Sequence, residues 1–301
     1  MKNKILITGG AGFIGSYLIK KIRTKTNLIV IDKKKNRKLI NKFKTLGIKY
    51  IQGNLENKKI SKIIYKDIKL IYHLAGTVKV PSTDINLDLT KEQRIYNEAI
   101  NILKNLIKYS DKNVKIIFPS THLVFENCKK NKKIFYENSK TLPYLAYSRS
   151  KLKCEEMLIK SGLKYNILRL GSVYGYSKDE KRMFNLPNLF PLRAKKNLDL
   201  KLFSKGIQIK SIISVKDVAN SMIYLSKKKF KNEIYHLVSQ HLTVRQIGQI
   251  CKVFNNKIKL ISTNDKIPYT GYFMNSNKII KTKFQYRHFY KDFAKEIILK
   301  N

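Results

Sequence analysis

A short apolar run, Ile5-Leu6-Ile7, passes into Thr8-Gly9-Gly10-Ala11-Gly12-Phe13-Ile14-Gly15 and on into Ser16-Tyr17-Leu18-Ile19. The run reads as a buried parallel strand, and Phe13 to Ile19 has the spacing of an amphipathic helix. A glycine-rich turn at such a junction constrains the fold more than any other stretch, because its backbone can approach a pyrophosphate. Gly9 permits the tight turn, Gly12 the close approach, and Gly15 the packing of helix on sheet. The helix start at Phe13 and Ile14 offers N–H groups and partial positive charge to an anion. Taken alone, the turn also suits an ordinary strand–turn–helix connection. A second apolar run, Leu28-Ile29-Val30-Ile31, ends in Asp32, where a carboxylate accepts hydrogen bonds from adenosine ribose hydroxyls. Together these features point to dinucleotide binding. Asp32 favours NAD over NADP, since a carboxylate repels a 2′-phosphate. Lys33, Lys34, Lys35 and Arg37 are the cations that weaken this preference.

The 301 residues suffice for one large α/β domain or a domain with a lobe. No run of about 18 apolar residues suggests a membrane span. The N-terminus enters the first strand directly, so no signal peptide is expected. Cys128, Cys154 and Cys251 are far apart and form no CxxC pair. That pattern fits a reducing cytoplasm and gives no metal site. The net charge of +43 raises nucleic-acid binding as a rival reading. The basic residues are mainly Lys and spread along the whole chain, which suits solvated faces better than a base-reading surface.

Strand candidates at Ile5–Thr8, Leu28–Asp32, Ile48–Gln52, Leu70–Leu74, Lys115–Pro119 and Asn166–Leu170 alternate with helix-length stretches. The longest helix runs from about Asp84 to Tyr109, with Ile95, Ala99, Ile102, Leu103, Leu106 and Ile107 on one stripe. The alternation predicts an α/β fold with a doubly wound parallel sheet of Rossmann type. After Gly171, Pro187, Pro191 and Gly206 suggest a smaller lobe built from loops. Ile212–Ser214 and Glu233–Val238 read there as strands, and Val215–Leu225 and Val244–Phe254 as helices. The expected division is a dinucleotide-binding domain over 1–170, rejoined by about 211–240. A substrate-binding lobe takes 171–210 and 241–301.

Tyr147 and Lys151 stand at i and i+4, on one face of a helix. A free phenol titrates near 10 and is a poor base at neutrality. A cation one turn away favours the phenolate, although lowering the pKa to about 7 takes roughly 4 kcal/mol. Such a pair also arises by chance in a chain rich in both residues. Tyr144 is the internal control, since Ser148 occupies its i+4 position. Ser120-Thr121 follows directly on the strand candidate Lys115–Pro119, at a strand end where a hydroxyl can meet a reacting carbonyl or alkoxide. The same hydroxyl serves equally as a turn or helix cap.

These motifs occur in a telling order, with His73-Leu74-Ala75-Gly76, Asn97, Val124-Phe125 and Leu168-Arg169-Leu170-Gly171-Ser172-Val173-Tyr174-Gly175 between and after them. The chain resembles the extended short-chain dehydrogenase/reductases of the NAD-dependent epimerase/dehydratase family, which act on nucleotide sugars. The resemblance covers nearly the whole length, including Ser204-Lys205-Gly206 to Ala219. It implies that Tyr147 is the general base or acid and that Lys151 holds the nicotinamide ribose and tunes Tyr147. Thr121 would orient the sugar hydroxyl, with Ser120 the weaker candidate. Gly9, Gly12, Phe13, Ile14, Gly15, Asp32, Asn54 and Leu55 would line the NAD site. Leu74, Ala75 and Gly76 would join them mainly through backbone, and Asn97 would stabilise the active-site helix.

Departures from the family fall on the substrate side. Ser172 replaces an Asn that contacts substrate, Lys210 an Arg that grips the diphosphate, and Ser211 the Asp after it. Phe125 replaces a Tyr. Asn188 matches the Asn that meets the nucleotide. His122-Leu123 replaces the Asp-Glu pair of 4,6-dehydratases. The reading is therefore an NAD-dependent nucleotide-sugar epimerase working by transient oxidation. A net reductase or dehydrogenase of the same fold is the alternative, and an idle cofactor-binding protein is a third. The expected partners are a nucleotide sugar, no specific nucleic acid and no membrane; a homodimer is compatible with the reading.

Overall fold

The structure, a computed structural model, describes residues 4–22, 27–34, 37–77, 88–128, 134–177, 183–265 and 271–300. The first half alternates strand and helix: β1 (Lys4–Thr8), α1 (Phe13–Lys21), β2 (Leu28–Asp32), α2 (Arg37–Thr45), β3 (Lys49–Gln52), α3 (Lys58–Ile64), β4 (Ile68–His73), α4 (Leu89–Tyr109) and β5 (Lys115–Thr121). Next come β6 (Ile134–Phe135), α5 (Ala146–Lys160), β7 (Lys164–Leu170), β8 (Ser172–Tyr174), α6 (Leu186–Lys195), β9 (Leu200–Leu202) and β10 (Ile209–Ser214). The chain closes with α7 (Val215–Lys227), β11 (Glu233–Leu237), β12 (Gln240–Thr243), α8 (Val244–Phe254), β13 (Leu260–Ser262), β14 (Phe273–Met274), α9 (Asn277–Ile280) and α10 (Tyr290–Leu299).

Seven strands form one sheet in the order β3-β2-β1-β4-β5-β7-β11, with β1 to β5 paired in parallel. This is the predicted α/β, Rossmann-type sheet. The order reverses between β1 and β4, and open α/β sheets bind ligands at such a switch point. Parallel strands buried on both faces need apolar side chains throughout. Leu6, Ile31, Ile71, Ile116 and Ile167 accordingly share one core with Leu103 and Leu106 of α4 and Leu158 of α5. Asn57 caps α3 by accepting from Lys59 and Ile60 N–H groups, and Asp88 caps α4 by accepting from Lys91. The long helix thus starts at Leu89. The expected start near Asp84 lies outside the described residues.

The chain packs as two compact units. One contains 1–126, 142–169 and 219–234, and the other 127–141, 170–218 and 235–301. The strand at Ile212–Ser214 does not re-enter the large sheet. It belongs to β10, which pairs with β8 and β12 in a separate three-stranded sheet, and β11 is the strand that returns. The second unit is also less loop-like than its prolines suggest. It has its own core, including Tyr174, Phe190, Leu200, Ile212, Ile247 and Tyr290. Pro187 lies in the first turn of α6, where no N–H is required. Pro191 sits inside α6 and cannot donate to the Pro187 carbonyl. The Tyr290 hydroxyl donates to that carbonyl instead, at 2.8 Å.

Candidate active site

The glycine turn is built as the sequence requires, with one difference. Gly9 has φ +68°, and a Cβ there would stand 2.8 Å from the Leu74 and Ala75 backbone. Gly9 therefore lets β1 and β4 end side by side. A Cβ at Gly15 would meet Gly10 at 2.7 Å, so its closeness serves the turn itself and not the sheet. Gly12 is the N-cap of α1 and brings no side chain to the first amides of the helix. A Cβ on it would meet only the Gly9 carbonyl, at 3.1 Å. Open amides beside an uncovered glycine fit a pyrophosphate.

Asp32 is pinned at the end of β2. Its carboxylate accepts from Ala11 N–H and from Lys34 N–H, each at 3.0 Å. After β4, Leu74 N–H donates to the Thr8 carbonyl at 3.1 Å and Ala75 N–H to Thr8 Oγ1 at 3.1 Å. Gly76 has φ +148°, which suits glycine, and no neighbour within 4 Å of a Cβ. Buried His73 lies 2.9 Å from Thr8 Oγ1 and stacks on Phe118. Burial, with the Lys151 charge, pushes its pKa down to about 3, so it is neutral. Asn54 is exposed and accepts from Glu56 N–H at 3.0 Å. Leu55 is buried, and its carbonyl accepts from Asn105.

β5 and α5 bring the catalytic candidates into one unit. Lys151 is buried, and its Nζ donates to the Pro119 carbonyl at 3.0 Å and lies 4.6 Å from the Phe118 ring centre. Burial lowers the Lys151 pKa, against the opposing influence of Cys154 and Glu155. Tyr147 is half-buried one turn earlier, whereas Tyr144 is 61% exposed. Thr121 Oγ1 accepts from Leu123 N–H at 3.2 Å, capping a short 3-10 helix over His122–Phe125. Accepting there leaves the Thr121 hydroxyl proton available for donation. Ser120 is engaged elsewhere. Its hydroxyl donates to Glu155, which pairs with Arg169 at 2.7 Å in a site where both side chains are almost fully buried.

Sequence reasoning missed the groups that hold the start of α5. Its N-cap, Leu145, supplies no capping side chain. Glu92 of α4 accepts from Ala146 N–H at 3.0 Å, and Glu126 accepts from Leu145 N–H at 3.2 Å and from the Ser148 hydroxyl. Burial raises the Glu126 carboxyl above its ordinary value. The hydrogen bonds oppose this, and the Glu92 charge adds to it. Asn97 is the α4 residue to which the family resemblance gives this steadying role. It is instead exposed and accepts from Gln93 at 3.0 Å, beside an open groove of about 710 Å³. No spacing rule marks Glu92, because its partner is 54 residues away.

The substrate-side candidates lie in the second unit. Ser172 is half-buried on β8, opposite Ile212 of β10. Asn188 is fully buried and its Oδ1 accepts from Gly175 N–H at 2.9 Å, so it braces the unit from within. Lys210 is half-buried on β10, and burial lowers its pKa. Among the described residues its ammonium makes no hydrogen bond or ion pair, which suits an anion site. Ser211 donates to the Tyr272 carbonyl at 2.9 Å and lies 3.0 Å from His241 Nδ1. No group of three or more His, Cys, Asp or Glu among the described residues is placed to hold a metal. No helix among them is long and apolar enough to cross a membrane.

Comparison with known proteins agrees with this architecture. The chain is 29% identical over 257 residues to a putative UDP-glucose 4-epimerase of Methanocaldococcus jannaschii, covering 82% of this chain and 81% of that one. It is 24% identical over 277 residues to the dTDP-4-dehydro-6-deoxyglucose reductase of Escherichia coli, covering 88% and 86%. The crystal structure of a UDP-glucose 4-epimerase from Thermotoga maritima superposes with a TM-score of 0.80 at 22% identity, covering 98% and 97%. That likeness bears on the fold alone. The profile of the NAD dependent epimerase/dehydratase family matches residues 5–237, and the chain is an enzyme of that family.

Proposed function

We propose that the protein is an NAD-dependent nucleotide-sugar epimerase that inverts a carbinol centre by transient oxidation. The observation that carries this reading is the anchorage of α5 on β5. The Lys151–Pro119 bond fixes the helix face bearing Tyr147 near the strand end that bears Thr121. Tyr147 Oη takes the proton of the reacting hydroxyl and later returns one. Lys151 would hold the nicotinamide ribose, and its charge favours the phenolate that Tyr147 must become. Thr121, already accepting from Leu123, directs its own proton to the sugar oxygen. Bound NAD would supply a reversible hydride acceptor for the same carbon. Gly9, Gly12, Phe13, Ile14 and Gly15 would hold its pyrophosphate and Asp32 its adenosine ribose, with Asn54, Leu55 and Leu74 to Gly76 lining the rest. Lys210 would meet the substrate diphosphate as a point charge, without the fork of an Arg.

A net reductase or dehydrogenase is the second reading. The similarity to the dTDP-4-dehydro-6-deoxyglucose reductase of Escherichia coli supports it. The two readings separate in one experiment. Purified protein is incubated with a panel of nucleotide sugars and NAD, and products are followed by mass spectrometry and NADH absorbance. The epimerase reading expects an isomer of unchanged mass and no net NADH. Stoichiometric NADH formation or consumption sinks it and promotes the second. The cytoplasm is the proposed place of action, and none of Cys128, Cys154 and Cys251 forms a disulfide.

A further inference from the structure

Lys33 follows Asp32 directly and is the nearest cation in sequence to the carboxylate that would face the adenosine ribose. Its ammonium is already occupied. Lys33 Nζ donates to Glu98 Oε1 at 2.7 Å and lies 3.4 Å from Thr77 Oγ1. The Thr77 hydroxyl donates to Glu98 Oε2 at 2.6 Å, so both carboxylate oxygens are bound. The Glu98 side chain is only 11% exposed, while that of Lys33 is 57% exposed. The acid is thus held largely out of water, and the cation that it binds lies at the surface. An exposed ion pair between two mobile side chains would be worth little. Here the carboxylate is held by a second donor and shielded from water, which strengthens a charge-assisted bond. Burial alone would raise the Glu98 carboxyl. The bonds from Lys33 and Thr77, with the charges of Lys33 and Arg94, instead hold it below the ordinary value.

We propose that Glu98 determines which dinucleotide the protein accepts, by holding Lys33 away from a ribose 2′-phosphate and leaving Asp32 to meet the free hydroxyls of NAD. The inference rests on the dinucleotide site proposed above. NADP differs from NAD by a phosphate of nearly two negative charges beside Asp32. Binding it requires a cation that is not already neutralised. Lys34 contributes its backbone N–H to Asp32, and Lys35 and the side chain of Arg37 lie outside the described residues. Lys33 is therefore the cation whose availability the structure explains.

The test is a calorimetric titration of NAD and NADP, separately, into the full-length protein and three variants. The wild type should prefer NAD. Glu98→Gln keeps the Thr77 contact but releases Lys33, and should tighten NADP about tenfold, the worth of one charge-assisted contact. NAD affinity should change by less than about threefold, and its retention reports that the variant is folded. Lys33→Met alone should leave NADP affinity nearly unchanged, and Lys33→Met combined with Glu98→Gln should abolish the gain. An unchanged NADP-to-NAD ratio in Glu98→Gln overturns the inference. So does a gain that survives removal of Lys33, or a marked loss of NADP binding in Lys33→Met alone. If the wild type binds neither dinucleotide, the underlying site reading fails and takes this one with it.

Discussion

Tyr147 and Tyr144 make a controlled pair at the scale of single residues. Both precede a partner by four positions, but only Tyr147 has an ammonium there, anchored on the Pro119 carbonyl. Tyr147→Phe deletes the ionisable oxygen and little else. It should bind NAD as the wild type does and lose turnover by at least about a hundredfold, the lower end of general acid–base contributions. Tyr144 is 61% exposed, and Tyr144→Phe should be mild. Steady-state rates on whichever nucleotide sugar proves active decide the matter. Activity of Tyr147→Phe within about threefold of wild type, below about 1 kcal/mol of barrier, removes Tyr147 from the mechanism. Thr121 shows why the sequence left its role open. It is a helix cap, and capping uses its oxygen while leaving its proton, so the two readings are compatible. Ser120 has no such freedom beside the Glu155–Arg169 pair.

At the scale of elements, α5 is positioned by side chains that belong to other parts of the chain. The α4 stripe read from periodicity places Ile102, Leu103 and Leu106 in the core, as observed. The same periodicity says nothing of Glu92 and Glu98, whose burial depends on partners on α5 and after β2. Glu126 carries a pH dependence that follows from its place at the start of α5. Its carboxyl is held above the ordinary 4.5, so the folded protein binds this proton more tightly than the unfolded chain. Its contribution is greatest below that ordinary value and declines as pH rises through the folded value. Glu126→Gln keeps an accepting oxygen for Leu145 N–H and removes the titration. Urea unfolding of both proteins between about pH 4 and about pH 8 should show the variant gaining stability relative to wild type as pH rises. A difference that is flat, or that falls with pH, would mean that the fold does not hold this carboxyl high.

The whole molecule was legible in proportion to how local its rules are. β1, β2, β4, β5 and β7 stand out because strands buried on both faces read as apolar runs. In the second unit β8, β9, β12 and β13 are three or four residues long and leave no such run. Its core joins Tyr174, Phe190, Ile247 and Tyr290 from distant segments, and Pro191 looks like a breaker until Tyr290 completes the helix. The charge is a property of the entire chain. With 63 Lys and Arg against 20 Asp and Glu, most cations have no acid to pair with and must stay in water. Such a surface attracts polyanions of any kind. Duplex DNA should therefore bind weakly and without regard to sequence, with affinity falling steeply between about 50 and about 200 mM salt as counterions are released. Fluorescence anisotropy with several unrelated duplexes across that range checks this. Nanomolar binding that selects one sequence at physiological salt would show that the lysines form a recognition surface. A steep common slope would show that they supply only a field, without reading any sequence.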